Sequence, residues 1–477
     1  MRNSVGKNSL INVLYKALDM IILLLQSTYV SRILLAEGVG QVAYAQNISA
    51  YFKAFAEFGV MIYGVREIAR VREKSEDTNR IFAELCQINI VTTTCALIAY
   101  GILVWMNDGF REQMVLFFVC GLHILFNYLN IEWFYQGKEE YVYIVLRSMI
   151  VKIFSLLATF LFVRTEKDYV IYALIASAAT GGNCFLNVIR ARNHVRFIWK
   201  RLHPARHIKS LMILSTGSFL TTFYGTVSLT MLGIVSTKEI TGYYSYASMA
   251  VGMIAGFCTS AIHVFSPRLS YYYKEEREKF HKLLQFEMQI LIFFVVPAWT
   301  GIFILTPQIV VTLFGTAFLP ASGIMRLLSP LILIWSISEA LGYQMILITN
   351  RESIIVKSYF IMVVVTIILD CFLIPVYAGE AAALIYVAGE LIVNIYLIRK
   401  VHYLVPYTVP VSAVWQAMIS AGIMGIAIQY GIGIVKSPLV QCMIGVTIGI
   451  VVYGIMNLLL KNEFLQFLAD RIRKNMI

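Results

Sequence analysis

EGVGQVAYA, residues 37–45, returns at residues 239–247 as EITGYYSYA. Glu37, Gly40, Tyr44 and Ala45 fall on Glu239, Gly242, Tyr246 and Ala247, and the same offset lays Arg66 on Arg268 and Glu73 on Glu275. Both copies sit where one apolar run gives way to the next, so the matches cluster at equivalent turns of equivalent hairpins. That pattern marks an internal repeat. A repeat containing an even number of membrane spans produces two lobes in the same orientation, related by an axis along the membrane normal, around a cavity that opens to either side in turn.

The setting for this repeat is a membrane. Of 477 residues, 59% are hydrophobic and 14% charged, with a mean hydropathy of +0.74. That is too little charge to cover a soluble domain of this size. Apolar runs of about twenty residues recur from end to end, each long enough to cross a hydrocarbon core of about 30 Å. They lack the alternation of barrel strands, so the spans are helices. A net charge of +12 suits nucleic acid in principle. Here the cations lie in short loops between apolar runs, where they set topology and meet anionic headgroups, and nucleic acid is excluded. The seven cysteines form no CxxC or Cys/His cluster and read as apolar fillers, with no disulfide framework and no metal site. The opening MRNSVGKNSLINVLYKALDMII reads as a first span and not as a removable signal.

About fourteen spans fit the apolar runs. With a cytoplasmic N-terminus, only Arg111, Arg164, Lys167, Lys238 and Lys436 fall in external loops, so both termini are expected in the cytoplasm. The stretch RARNHVRFIWKRLHPARHIK, residues 190–209, is either a basic anchor on anionic lipid or a linker between lobes. The expected architecture is an all-α polytopic membrane protein. It has a six-helix N-lobe (1–195), a basic cytoplasmic linker (196–209), a six-helix C-lobe (210–403), and an appended helix pair with a cytoplasmic tail (404–477).

Ionisable residues inside spans are costly and usually face a cavity or a partner. Lys16 and Asp19 share a face of the first span, Lys53 and Glu57 a stripe of the second. Arg147 and Lys152 lie in the fifth span, Arg326 and Glu339 in the tenth, and Asp370 and Glu390 in the next two. Lys16–Asp19 and Lys53–Glu57 could also neutralise each other, and Arg147 and Arg326 could snorkel to the interface. Asp370 is expected to touch water near an external end, while His123 and His263 read as hydrogen-bonded core residues. The set together suggests an aqueous cavity of net positive character. Lys16, Lys53, Arg147, Lys152 and Arg326 suit a diphosphate. Asp19, Glu57, Glu339 and Glu390 would couple a proton or sodium ion or pair with those cations. Replacing Lys53 or Arg147 by alanine is expected to leave folding largely intact.

LNIEWFYQGKEEY, residues 129–141, reads as the cytoplasmic exit of the fourth span. Trp133, Phe134 and Tyr135 would form an interfacial aromatic belt, Gly137 the tight turn, and Lys138–Glu140 a solvated tip. Glu132, one turn deeper, is a candidate contact of a cytoplasmic gate. P-loop, HExxH, GxSxG and metal-spaced patterns are all missing, and every external loop is short, so a transporter is expected in preference to an enzyme.

SRILLAEGVGQVAYAQNISAYF (31–52), FGVMIYGVREIARVREK (58–74) and NIEWFYQGKEEY (130–141) resemble polysaccharide-repeat flippases of the Wzx type. Those belong to the MOP superfamily, which also holds lipid II flippases and MATE drug exporters. The resemblance returns at EITGYYSYASM (239–249) and GYQMILITNRES (342–353). It departs at Thr28 and Tyr29, where proline is common, and at Leu35, where glycine is common, which implies a straighter first span. The resemblance implies a MOP-type fold in a bacterial inner membrane. It also implies translocation of undecaprenyl-diphosphate-linked oligosaccharide to the outer leaflet for O-antigen or capsule assembly. Arg32 matches the family's Ser-Arg position and would be an external gate or headgroup contact. Membrane lipids, a polysaccharide polymerase and other enzymes of the pathway are the implied partners. A MATE-like ion-coupled exporter and, from another class, a membrane-embedded polymerase or ligase are the alternatives.

Overall fold

The computed structural model describes residues 2–195, 202–260, 262, 265–349, 351, 353–405, 407 and 410–466, excluding the side chains that precede Leu18. Its helices, in chain order, are α1 (Arg2–Glu57), α2 (Val60–Val71), α3 (Ser75–Met106), α4 (Asp108–Glu112), α5 (Met114–Leu125), α6 (Glu132–Gly137), α7 (Tyr141–Phe162), α8 (Tyr169–Ala191) and α9 (Ala205–Val235). There follow α10 (Lys238–Ser260), α11 (Ser266–Glu275), α12 (Arg277–Phe314), α13 (Ala321–Leu328), α14 (Leu331–Ile337), α15 (Gln344–Ile348), α16 (Ser353–Leu404), α17 (Val411–Ile432) and α18 (Pro438–Leu459).

Among the described residues, ten helical segments are long and apolar enough to cross a membrane. Two of them have length for two crossings. The 56 residues of α1 would run about 84 Å if straight. The helix breaks at Leu35 (φ 54°, ψ −173°), and the 52-residue α16 breaks at Ala378 (φ 46°, ψ −122°). The Leu35 break falls at the end of the first crossing, where the chain turns into the second, and Leu35 takes up the positive φ there itself, at a cost in strain.

Contacts divide the chain into two compact units, Leu14–Gly242 and Tyr243–Ile477 with Met1–Val13. In the first unit α7 and α8 show how the helices meet lipid and each other. On α7, Leu146, Ile150, Phe154, Leu157 and Leu161 form an exposed apolar stripe at helical spacing, suited to lipid. The inner face of α8 is small or polar, with Ala173, Ser177, Gly181, Cys184 and Asn187 buried. Such residues let helices approach closely where lipid gives no hydrophobic drive. A side chain at Gly181 would meet the Phe126 ring at 2.5 Å. Three polar ties join α1 to α7 at a near-constant offset: Asp19–Lys152, Gln26–Thr159 and Tyr29–Val163. Constant offset means these two stretches run parallel. Helix α9 packs in the same unit: the Asn47 amide donates to the Thr226 carbonyl (3.0 Å) and the Thr230 hydroxyl (2.6 Å). Its start is held by Glu84, a fully buried carboxylate that accepts from the His203 backbone N–H (2.8 Å) and from Arg206 Nη2 (2.5 Å), and contacts His207 Nε2 (2.8 Å).

The repeated sequence is legible in three dimensions. Gly40 and Gly242 pack backbone to backbone, and a Cβ on Gly40 would lie 1.7 Å from the Lys238 carbonyl oxygen. Lys238 donates to the Gly233 carbonyl (2.5 Å) over the Tyr44 ring, and burial lowers its pKa. Tyr44 clusters with Phe110 and Phe117 in the first unit, and Tyr246 with Phe314 and Phe318 in the second.

The hairpin at 129–141 differs from its sequence reading. Trp133, Phe134 and Tyr135 are at most 1% exposed, so they are core and not an interfacial belt. Trp133 and Phe134 pack on Phe82, Tyr135 packs on Phe134, and the Tyr135 hydroxyl donates to the Asn187 carbonyl (2.7 Å). Gly137 serves close approach, since a Cβ there would meet Ile68 at 2.7 Å, and the positive φ falls on Glu139. Gly64 likewise faces Trp133. The GVREIAR and EWFYQG stretches are thus two halves of one packed knot.

Candidate functional site

Within the first unit a cavity of about 300 Å³ is walled by Lys53 and Glu57 of α1, His123 of α5, Asn127 and Asn130 beyond it, Glu132 of α6, Arg147 of α7 and Asn183 of α8. Each charge has a partner. Lys53 Nζ lies 3.6 Å from Glu57 Oε1, one helical turn on. Arg147 Nη2 lies 2.7 Å from Glu132 Oε2, and Nη1 donates to Asn187 Oδ1. Glu132 occupies the first turn of α6, where its charge also meets the positive end of the helix dipole, and it accepts from Gln136 (3.3 Å). Arg147 is only 5% exposed, so it is buried and does not snorkel.

The amides form a second layer. Asn127 donates to Asn89 Oδ1 (2.8 Å) and Thr93 Oγ1 (2.9 Å), and Asn89 donates back to the Asn127 carbonyl (2.6 Å). Asn183 Nδ2 is tied to the Ala179 carbonyl (3.1 Å), which fixes where its Oδ1 points. Phe126, Met61 and Ile144 add apolar surface. With two cations set against two carboxylates, the wall is charge-balanced and not net positive.

Four of the sequence-derived residues therefore converge here: Lys53, Glu57, Glu132 and Arg147. The others lie elsewhere. Lys152 pairs with Asp19, so Asp19 is matched across helices. The side chain of Lys16 lies outside the described set, as does His263. Arg32 is exposed on α1. In the second unit Arg326 donates to the Phe303 carbonyl (3.3 Å) and covers the Phe303 ring, Glu339 is half-buried in a π-turn, and Glu390 is buried beside Asn394. Asp370 is fully buried and does not touch water. His123, read from sequence as a core residue, is on the cavity wall, and the asparagines were missed. Their signal was present in NYLN and GGNC, amides set within apolar runs.

The second unit holds an apolar groove of about 580 Å³ between α12, α17 and α18, floored by Gly445 and Gly449 and walled by Phe293, Leu305, Met424 and Tyr453. The glycines serve close helix packing, since a Cβ on Gly445 would meet Leu305 at 2.8 Å, and among the described residues no charged side chain lines the groove.

Residues 5–273 match the family described as polysaccharide biosynthesis protein. The chain belongs to that family. Among curated relatives of this polysaccharide biosynthesis protein is a "Putative O-antigen transporter" of Escherichia coli (strain K12). It is 23% identical over 395 residues, covering 80% of this chain and 94% of the relative. A "Probable low-salt glycan biosynthesis flippase Agl15" of Haloferax volcanii is 24% identical over 242 residues, half of each chain. The fold of this family member is that of the lipid II flippase MurJ in an inward closed conformation. The TM-score is 0.68 at 17% identity, covering 93% of this chain and 100% of that one. A multidrug resistance MATE family transporter of the MOP superfamily, inward-facing, follows at 0.58 and 12% identity, covering 80% and 94%. The MOP-type fold expected from sequence is thus present, in a multi-pass membrane protein.

Proposed function

We propose that this polysaccharide biosynthesis protein is a flippase for undecaprenyl-diphosphate-linked oligosaccharide repeat units, moving them from the cytoplasmic to the outer leaflet for O-antigen or capsule assembly. The observation that carries the reading is the polar, amide-rich cavity inside the first unit. Charged side chains within spans usually face a cavity or a partner, and here four of them line one cavity with three asparagines, which suits a hydrated polar cargo. The apolar groove of the second unit supports the lipid half of the same cargo.

In this reading the protein sits in the bacterial inner membrane with about fourteen spans and both termini cytoplasmic. Lobes 1–195 and 210–403 rock about the linker 196–209, and 404–477 carries the appended helices. Lys16, Arg32, Lys152 and Arg326 serve the diphosphate. Lys152 would reach it by leaving Asp19, which gives Asp19, with Glu57, Glu339 and Glu390, a role in proton or sodium coupling. Glu132 serves the cytoplasmic gate through Arg147. A polymerase and other pathway enzymes receive the product. The test is reconstitution with a labelled lipid-linked repeat unit: transfer no faster than in protein-free liposomes contradicts the proposal.

A further inference from the structure

The hairpin tip before α7 borders a separate pocket of about 400 Å³, lined by Glu139, Glu140, Val142, Tyr143, Leu146 and Arg190. It lies on the outside of its unit, since Val142 and Leu146 are 55% and 59% exposed. Those two begin the apolar stripe of α7 that continues through Ile150, Phe154 and Leu157. Charged groups and lipid-facing side chains thus meet at one point, as they do where a span leaves hydrocarbon for the headgroup layer. The charges are accessible and of both signs. The Glu139 side chain is 63% exposed and that of Arg190 40%. Arg190 Nη2 lies 2.7 Å from Glu140 Oε2, His194 Nε2 lies 3.3 Å from Glu140 Oε1, and Arg72 Nη1 lies 2.8 Å from Glu139 Oε1. The Arg190 guanidinium covers the Tyr143 ring at 4.1 Å, and the Tyr143 hydroxyl is held by the Leu186 carbonyl (3.1 Å).

This wall discriminates among phospholipid headgroups. A net-anionic headgroup gains from Arg190 but meets two carboxylates. A choline group has no N–H to donate and is recognised by open aromatic faces. The one ring among the described lining residues is already covered by Arg190. A primary ammonium beside a phosphate satisfies both signs. Its three N–H groups donate to Glu139 and Glu140, and the phosphate oxygens accept from Arg190. The volume falls low in the range for ligand pockets, about 300–1,000 Å³, so it takes a headgroup and leaves the acyl chains on the stripe outside.

We infer that this pocket is a site for a phospholipid with an ethanolamine headgroup, whose acyl chains lie along α7. The site is distinct from the cargo cavity and stands whether or not the flippase reading holds. Native mass spectrometry of the full chain in detergent tests it, with phosphatidylethanolamine, phosphatidylcholine and phosphatidylglycerol of identical chains added separately. The ethanolamine lipid is retained about two- to fivefold more than either other lipid, the size expected of solvent-facing charge pairs. Soluble glycerophosphoethanolamine does not displace it, because the chains supply the apolar part of the contact. Glu139→Gln brings ethanolamine retention down to that of choline. Glu139→Lys, which reverses the sign at an exposed position, moves the preference to phosphatidylglycerol, a gain that misfolding cannot produce. Glu112→Lys, the same charge change at an exposed site on α4, leaves the preference unchanged. Equal retention of the three lipids by wild type would overturn the site, as would displacement by the soluble headgroup. So would a preference that ignores both Glu139 variants, or one that Glu112→Lys shifts as far as Glu139→Lys.

Discussion

At the scale of single residues, burial decides what a charge does. Arg147 was a candidate cavity cation on paper, with snorkelling to the interface as the alternative, and its alanine variant was expected to leave folding largely intact. In the structure its guanidinium is enclosed with Glu132 and Asn187. Removing Glu132 strands that buried guanidinium, which typically costs about 3–5 kcal/mol, whereas removing Arg147 leaves a carboxylate that is 29% exposed and still held by Gln136. Glu132→Ala is therefore expected to lower the melting temperature sharply, and Arg147→Ala by less. The double variant Arg147→Ala/Glu132→Ala should lose less than the sum of the two single losses. Additive losses in that double-mutant cycle would contradict the pairing. The partner was not readable in the sequence because it lies fifteen positions away across a hairpin. Asp19 had a cation at helical spacing in Lys16, but its partner here is Lys152 on another helix. Local spacing proposes pairs, and packing chooses among them. Leu35 gives a second test at this scale. Its φ of 54° strains any side chain, most of all a β-branched one. Leu35→Ile should cost about 1–3 kcal/mol relative to Leu35→Gly. Equal stability of the two variants in thermal unfolding would contradict the bend.

At the scale of elements, the sequence was most informative where glycine permits contact. Gly40 and Gly242 were aligned only as a repeat, yet they turn out to touch. The same holds for the Gly64–Trp133 and Gly137–Ile68 contacts that bind α2 to α6. Any side chain at Gly40 must displace the Lys238 carbonyl, which belongs to backbone and cannot swing aside. Gly40→Ala is accordingly expected to destabilise by about 3 kcal/mol, the upper part of the range for overpacking. Gly101, which has open space around it, is the control and should tolerate alanine. A Gly40→Ala protein that melts with the wild type would show that the two helices do not cross there. What the sequence could not give at this scale was the fate of the aromatic triplet 133–135. Tryptophan and tyrosine near a span's end usually mark the interface. Only the knot with α2 and α3 shows them as core.

At the scale of the whole molecule, the membrane class was legible because it is written in composition and apolar period, and the MOP-type fold through the family resemblance of stretches such as 31–52 and 130–141. Chemistry was legible only in part. Lys53, Glu57, Glu132 and Arg147 were named from sequence and meet in one cavity, but its charge balance depends on pairings that no linear reading supplies. The amide layer of Asn89 and Asn127 was hidden because asparagine in an apolar run looks incidental until two such runs face each other. A polar cavity in one unit and an apolar groove in the other match a cargo with a hydrophilic head and a prenyl tail. The most direct test follows the labelled lipid-linked repeat unit in proteoliposomes, with the label in the inner leaflet at the start and its arrival outside read by an impermeant quencher. The account predicts protein-dependent arrival well above that of empty liposomes. Arrival at the protein-free rate would contradict it.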